Sequence, residues 1–146
     1  LKIEQINLSQ IEEIAVLFDG YRQFYKQESD FNGAVTFLTE RLQNNESVIF
    51  AAKVQDDYAG FVQIFPIFSS VAMKQAYLLN DLFVAENYRR MGVAEQLMEA
   101  AFRYAEEQNA RYLTLETAVK NVTAQALYEK VGMEVEDTVR HYIRYW

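Results

Sequence analysis

The sequence contains no cysteine. A disulfide framework, an iron–sulfur cluster, a Cys zinc site and a thiol nucleophile are therefore excluded. Histidine occurs once, at His141. A His-rich site lacks ligands, and a Ser-His-Asp triad has one imidazole to draw on, so no metal site is expected. Proline occurs once, at Pro66, and glycine only five times. No Pro/Gly/Ser linker breaks the chain. No apolar run reaches the roughly 18 residues of a membrane span, and the charged N-terminus is unlike a signal peptide. Positive charge is in deficit: 14 Lys and Arg stand against 21 Asp and Glu, a formal charge of −7. Phosphate contacts need a basic face, so this balance argues against nucleic acid and suits cationic partners. The expectation is a soluble cytoplasmic protein partnered by neither nucleic acid nor membrane.

What is present is an ordinary globular composition, 51% hydrophobic over 146 residues. That length suits one domain, 1–146, burying roughly 70% of the unfolded chain's surface. Ser9 and Glu12 have capping-box spacing. After them Ile11, Ile14, Ala15, Phe18, Tyr21 and Tyr25 recur at helical spacing. Phe31, Ala34, Val35, Leu38 and Leu42 predict a second, shorter helix, ended by Asn44-Asn45. Ser47–Val54 and Ala59–Phe68 read as a hairpin around Gln55-Asp56-Asp57. Pro66 lacks a ladder donor, which places that end at an edge or bulge. Gln75–Val84 reads as a buried strand. Ala94–Gln108 carries one apolar stripe and is predicted helical. Arg111–Thr117 alternates as a strand does, and Thr123–Val131 is a helix stopped at Gly132. Met133–Trp146 reads as extended. The order is ααβββαβαβ, an α/β fold whose central strand–helix–strand unit is parallel and right-handed.

The chemistry is concentrated in Asp81-Leu82-Phe83-Val84-Ala85-Glu86-Asn87-Tyr88-Arg89-Arg90-Met91-Gly92-Val93-Ala94. A strand ends, a loop follows and a helix begins. Arg89, Gly92 and Ala94 form an R-x-x-G-x-A pattern. Small residues let an anion approach the backbone, where the first helical turn presents unused N–H groups and the positive end of the dipole. Arg89 and Arg90 add two cations. This is a pyrophosphate cradle by physical logic, though neither a Walker A loop nor GxGxxG. Downstream lies the string Asn121-Val122-Thr123-Ala124-Gln125-Ala126-Leu127-Tyr128-Glu129-Lys130-Val131-Gly132-Met133. It reads N-x-x-A-x-x-L-Y-E-K-x-G-M.

These two segments, in this order and spacing, resemble the GCN5-related N-acetyltransferase superfamily. The close resemblance spans about residues 76–133. It implies a mixed central sheet, splayed between two adjacent strands and flanked by helices, with acetyl-CoA as cofactor. By the resemblance, the backbone of Arg90, Met91, Gly92, Val93, Ala94 and Glu95 holds the pyrophosphate beside Arg89. Leu82, Phe83 and Val84 pair with the pantetheine arm as an added strand edge would. The Leu82 N–H is the candidate for polarising the thioester carbonyl. Asn121 and Ala124 match cofactor-side positions, and Asn121 also suits a helix N-cap. Tyr128 matches the general-acid position that protonates the departing thiolate, against the alternative of a core tyrosine.

The implied reaction is direct transfer, so the incoming ammonium must lose a proton. Relatives that acetylate histone lysine often carry Glu where this chain has Leu78. Here the carboxylates are Asp81, beside Asn80, and Glu116 on the neighbouring strand. Either relays a proton or binds a second ammonium; the plainer alternatives are a loop-capping Asp81 and a solvated Glu116. Tyr21, Tyr25 and the segment Phe65–Gln75 fall where the superfamily places substrate walls, and aromatic faces attract ammonium groups by about 0.5–2 kcal/mol. The chain resembles the small-enzyme branch that acetylates polyamines, basic peptides or amino acids. The expected substrate is a small cationic amine. A protein lysine or N-terminal acetyltransferase, or a non-catalytic acyl-CoA sensor, are the alternatives. The aromatic ending Arg140-His141-Tyr142-Ile143-Arg144-Tyr145 reads as a last strand able to pair with a second copy, so a homodimer is expected.

Overall fold

The structure, a computed structural model, describes residues 1–146. A short strand, β1 (Lys2–Gln5), opens the chain and a turn of 3-10 helix leads into α1 (Ile11–Phe24). The sequence reading missed β1, whose four residues are too few for a period to register. The Ser9–Glu12 box is also corrected. Asn7 caps instead: its side chain accepts from the Ser9 N–H at 2.9 Å, and Gln10 Oε1 accepts from the Asn7 N–H at 2.9 Å. Asn7 has the extended backbone a cap requires, whereas Ser9 is already inside the turn.

Asp30 caps α2 (Phe31–Gln43), accepting from the Gly33 N–H at 2.9 Å. Then follow β2 (Val48–Val54), β3 (Asp57–Ser69), β4 (Lys74–Val84), α3 (Val93–Glu107), β5 (Leu113–Thr114) and α4 (Val122–Lys130). The sheet order is β1-β2-β3-β4-β5. Neighbours are antiparallel except β4 and β5, which are parallel as their helical crossover demands. The fold is mixed α/β. Pro66 lies beyond Ile64, the last β3 residue in register with β2, so its missing N–H costs no ladder bond.

Alternation sorts the side chains. Ile49, Ala51 and Phe61 join Ile14, Phe18 and Leu38 of α1 and α2 in one apolar cluster. Phe50 points the other way, its ring 5.8 Å from Tyr104 on α3, and Tyr77 of β4 meets the same ring at 5.8 Å. Helices therefore cover both faces, and each fully buried Ile, Leu or Phe contributes about 1.5–3 kcal/mol.

Two corrections concern the C-terminal half. The strand expected over Arg111–Thr117 is only Leu113–Thr114. No strand forms over Met133–Trp146, where the sequence suggested one. Aromatic and β-branched residues favour a strand only when an edge is there to pair with; Tyr142, Ile143, Tyr145 and Trp146 are exposed instead. The chain forms two compact units, Leu1–Glu116 and Thr117–Trp146.

Candidate active site

Within the first unit the site begins with one extra residue in β4. Gln63 pairs with Asp81 and Ile64 with Leu79, so Asn80 is left over as a β-bulge. Before the bulge, Tyr77 faces α3, and Leu79 shares its side by alternation. Were Asn80 paired in regular alternation rather than set aside as a bulge, Asp81 would follow them. With the bulge, Asp81 and Phe83 turn to the opposite face, where Phe83 meets Tyr21 of α1 with ring centroids 6.2 Å apart.

There Asp81 borders a hollow of about 400 Å³. Phe18, Tyr21, Phe37 and Phe65 supply its aromatic walls, and Arg22 and Asp30 its polar ones. Asp81 is only 3% exposed. Its Oδ1 accepts from Asn80 Nδ2 at 2.8 Å, and its Oδ2 from Gln63 Nε2. The Tyr21 hydroxyl donates to the Asn80 carbonyl at 3.2 Å, fixing the bulge against α1. Burial pushes the Asp81 carboxyl above its ordinary value of 3.8, outweighing the bonds from Gln63, Asn80 and Tyr21 that favour the charged form.

A second buried carboxylate stands behind the hollow's wall. Asp19 of α1 accepts from the Ser29 hydroxyl at 2.6 Å, the Asp30 N–H at 2.8 Å and Gln23 Nε2 at 3.2 Å. Arg22 donates to the Glu28 carbonyl at 3.0 Å. Together they fasten the segment between α1 and α2. The Ser29 and Asp30 bonds hold the Asp19 carboxyl below its ordinary range despite its burial.

The other edge of β4 is open. β5 stays in register with it only at Tyr77 and Leu78, while β3 follows it as far as Val84. The two parallel strands thus separate as a splayed sheet requires. The Ala85 N–H donates to the Ala59 carbonyl at 2.8 Å, toward β3. Alternation then turns the peptide groups of Leu82 and Val84 toward the open side. Arg89 Nε donates to the Val84 carbonyl at 2.9 Å, with its guanidinium 5.8 Å from the Phe83 ring centroid and 5.9 Å from that of Phe24. The arginine therefore clips the following loop to the strand and to the end of α1.

That loop turns through two left-handed residues, Arg90 (φ 64°) and Gly92 (φ 77°). No side chain caps α3. The N–H groups of Met91, Gly92, Val93 and Ala94 meet no backbone acceptor, and a Cβ placed on Gly92 would have nothing within 4 Å. An uncapped 15-residue helix with open space at its N-terminus fits a pyrophosphate. The open strand edge leading into it fits an extended amide-bearing arm.

The second unit carries the other motif. Asn121 Oδ1 accepts from the Ala124 N–H at 3.1 Å, so it is an N-cap, as its type allows. Half-buried Tyr128 lies on α4, and the helix ends at Gly132, φ 95°. His141 falls outside any strand.

Of the residues singled out from sequence, Tyr21, Asn80 and Asp81 come together at one hollow, and Phe65 joins them. Tyr25 sits just past α1, 58% exposed, its ring against Tyr21 and Phe24 and outside the hollow. Glu116 is exposed, two residues beyond β5. Gln63, Asp19 and Phe37 were missed. Gln63 had a signal, an amide alone within the apolar run Ala59–Phe68; Asp19 and Phe37 had none beyond their helical positions.

A strand with one free edge running into a bare helix N-terminus is the framework of an acyltransferase that draws its acyl group from coenzyme A. Residues 11–133 match the acetyltransferase (GNAT) family, and the chain belongs to it. It is an N-acetyltransferase, and its acetyl donor is acetyl-CoA. The chain is 45% identical over 142 residues to the uncharacterised N-acetyltransferase YhfO of Bacillus subtilis, covering 97% of this chain and 95% of that one. A probable acetyltransferase of Haemophilus influenzae is 34% identical over 118 residues, covering 80% and 79%. A crystal structure of a probable acetyltransferase superposes with a TM-score of 0.95 at 36% identity, covering 100% of this chain and 98% of that one. No helix is long and apolar enough to cross a membrane.

Proposed function

We propose that the enzyme acetylates a small cationic amine, a polyamine, diamine or amino acid, and that Asp81 is the group that receives it. The observation carrying this reading is a buried carboxylate, with its pKa raised, bordering an aromatic-walled hollow. The aromatic walls attract the cation and the carboxylate neutralises it. A raised pKa makes Asp81 a stronger base than an exposed aspartate, suited to taking the proton that the ammonium must lose before attack.

Acetyl-CoA supplies the acetyl group as a thioester. The chain's own residues do the rest. The N–H groups from Arg90 to Glu95 would hold the pyrophosphate, with Arg89 bracing the loop. The Leu82 N–H, on the open side of β4, would donate to the thioester carbonyl oxygen. Phe83 and Val84 continue that edge, and Asn121 and Ala124 would serve the cofactor side, as the family resemblance implies. Tyr128 would be the proton donor to the departing thiol. Glu116 serves as a second carboxylate for a distal ammonium, and Tyr25 as an outer aromatic. The two units act as one acetyltransferase domain, a reading supported by a family match running across both.

The exposed Tyr142, Ile143, Tyr145 and Trp146 support a homodimer in which this segment finds its strand partner in a second copy. Sedimentation at micromolar concentration showing only a 17.1 kDa species would remove it. The enzyme works where acetyl-CoA is made and spent, so we assign it to the cytoplasm; fractionation tests this.

The deciding experiment is thiol release from acetyl-CoA with spermidine, diamines, amino acids and lysine peptides, after calorimetry has established cofactor binding. Small amines are expected to lead. A peptide outpacing all of them would overturn the substrate assignment. Tyr128→Phe is expected to slow turnover by about 10²-fold while leaving cofactor affinity unchanged; an unaltered rate would strip it of the acid role.

A further inference from the structure

Gln63 lies in the middle of β3 with none of its surface exposed. Its neighbours Phe61, Val62 and Ile64 are equally buried and apolar. It stands directly opposite Asp81 in the β3–β4 register. Its Nε2 donates to Asp81 Oδ2, while its Oε1 has no hydrogen-bond partner. An unpaired buried acceptor is costly, and an apolar residue would pack there without that cost. A primary amide has a property no apolar residue shares. It carries a donor and an acceptor on equivalent arms, exchanged by rotation about one bond. A carboxylate at Asp81 needs a donor opposite it; a carboxylic acid needs an acceptor in the same place.

We propose that Gln63 is a positioning residue for the transfer reaction, serving Asp81 in both of its protonation states. With Asp81 ionised, the Gln63 N–H orients the carboxylate toward the ammonium. When an N–H bond of the ammonium breaks and the proton joins Asp81, the amide rotates and its carbonyl accepts the new O–H. The proton then leaves to water as the hollow empties, and the amide returns. This rests on the reading of Asp81 as the base. The other groups facing Asp81 are few. Tyr21 and Arg22 reach the hollow from α1 and Asp30 from the start of α2. Asn80 donates from the same strand, and Glu116 follows β5, the strand beside β4.

The test is the pH dependence of kcat, at saturating acetyl-CoA and amine, for wild type, Gln63→Met, Gln63→Glu and Asp81→Asn. Losing the N–H donor removes a bond that favours the charged form. Gln63→Met should therefore raise the acid limb by roughly one pH unit and leave the KM for acetyl-CoA unchanged. Gln63→Glu places two carboxyls over one proton and should raise it further. The infrared carboxyl band of Asp81 in cofactor-free protein, assigned by difference from Asp81→Asn, should shift in the same direction. A rate lowered equally at every pH, with the limb unmoved, would overturn the proposal and leave Gln63 a packing residue. Should Gln63→Met fail to fold, Gln63→Glu keeps the shape and reads the same limb: a raised limb supports the proposal and an unmoved one overturns it. An acid limb that survives Asp81→Asn would instead overturn the role of Asp81, and that of Gln63 with it.

Discussion

Asp19 and Asp81 are the same residue type, in the same unit, 7% and 3% exposed. They titrate in opposite directions. Asp19 accepts from a hydroxyl, a backbone N–H and a side-chain amide, with Arg22 at 3.9 Å, and its pKa falls. Asp81 has amides as its closest donors and no cation, and its pKa rises. Low exposure alone therefore does not mark a working carboxylate; what matters is whether its hydrogen bonds outweigh its desolvation, as they do at Asp19 and do not at Asp81. Asp19 is saturated by its own chain and holds a wall. Asp81 receives bonds from Gln63, Asn80 and Tyr21 that its burial outweighs, and it borders a hollow where the proposed substrate cation would complete it.

The sharpest break of this contrast is Asp81→Asn. It keeps the shape and removes the proposed base, so kcat should drop by about 10²–10⁴-fold with the melting temperature unchanged or raised. A rate equal to wild type would make Asp81 another structural carboxylate and dissolve the distinction. Asp19→Ala should do the reverse, costing about 2 kcal/mol in urea unfolding and raising the KM for amine more than it lowers kcat.

The pH dependence of folding sharpens the contrast further. Asp19, depressed when folded, contributes stability above its unfolded pKa that is lost as pH falls through the folded one. Asp81, raised when folded, costs stability at neutral pH, and that cost is recovered as pH falls through its folded pKa toward 3.8. Urea titrations from pH 7 to about 4 should therefore show Asp19→Ala losing acid sensitivity and Asp81→Asn gaining it. The smallest effect belongs to Tyr21→Phe. Its bond is a minor influence that favours the charged Asp81, so the acid limb of kcat should rise by a fraction of a unit.

The cofactor half was legible in the sequence because its parts are contiguous. A strand, a loop with Gly92 and a helix without a cap are local features, and Asn121 caps as its residue type implies. The amine half was legible only in part. Asp81 and Tyr21 stood out, yet the difference between Asp81 and Asp19 lies in partners such as Ser29 and Gln63, from 10 to 18 residues away in sequence. Gln63 looked like an irregularity in an apolar run until β4 was laid against it. β1 had too few residues to show a period, and the aromatic tail had the composition of a strand without an edge to join.

The bulge at Asn80 separates the length of β4 from its register. Asn80 is the residue the ladder sets aside, so without it Leu79 would still stand opposite Ile64 and Asp81 opposite Gln63, with the Leu82 N–H on the open edge. Length changes in this strand are therefore not graded by size. Losing Asn80 alone should keep Asp81 in the hollow and cost only the bond Asn80 donates to it and the bulge carbonyl that Tyr21 holds. Among related chains, the spacing from Tyr77 to the acidic residue should vary by the single residue of the bulge, a tolerance that substitution patterns by themselves would never reveal.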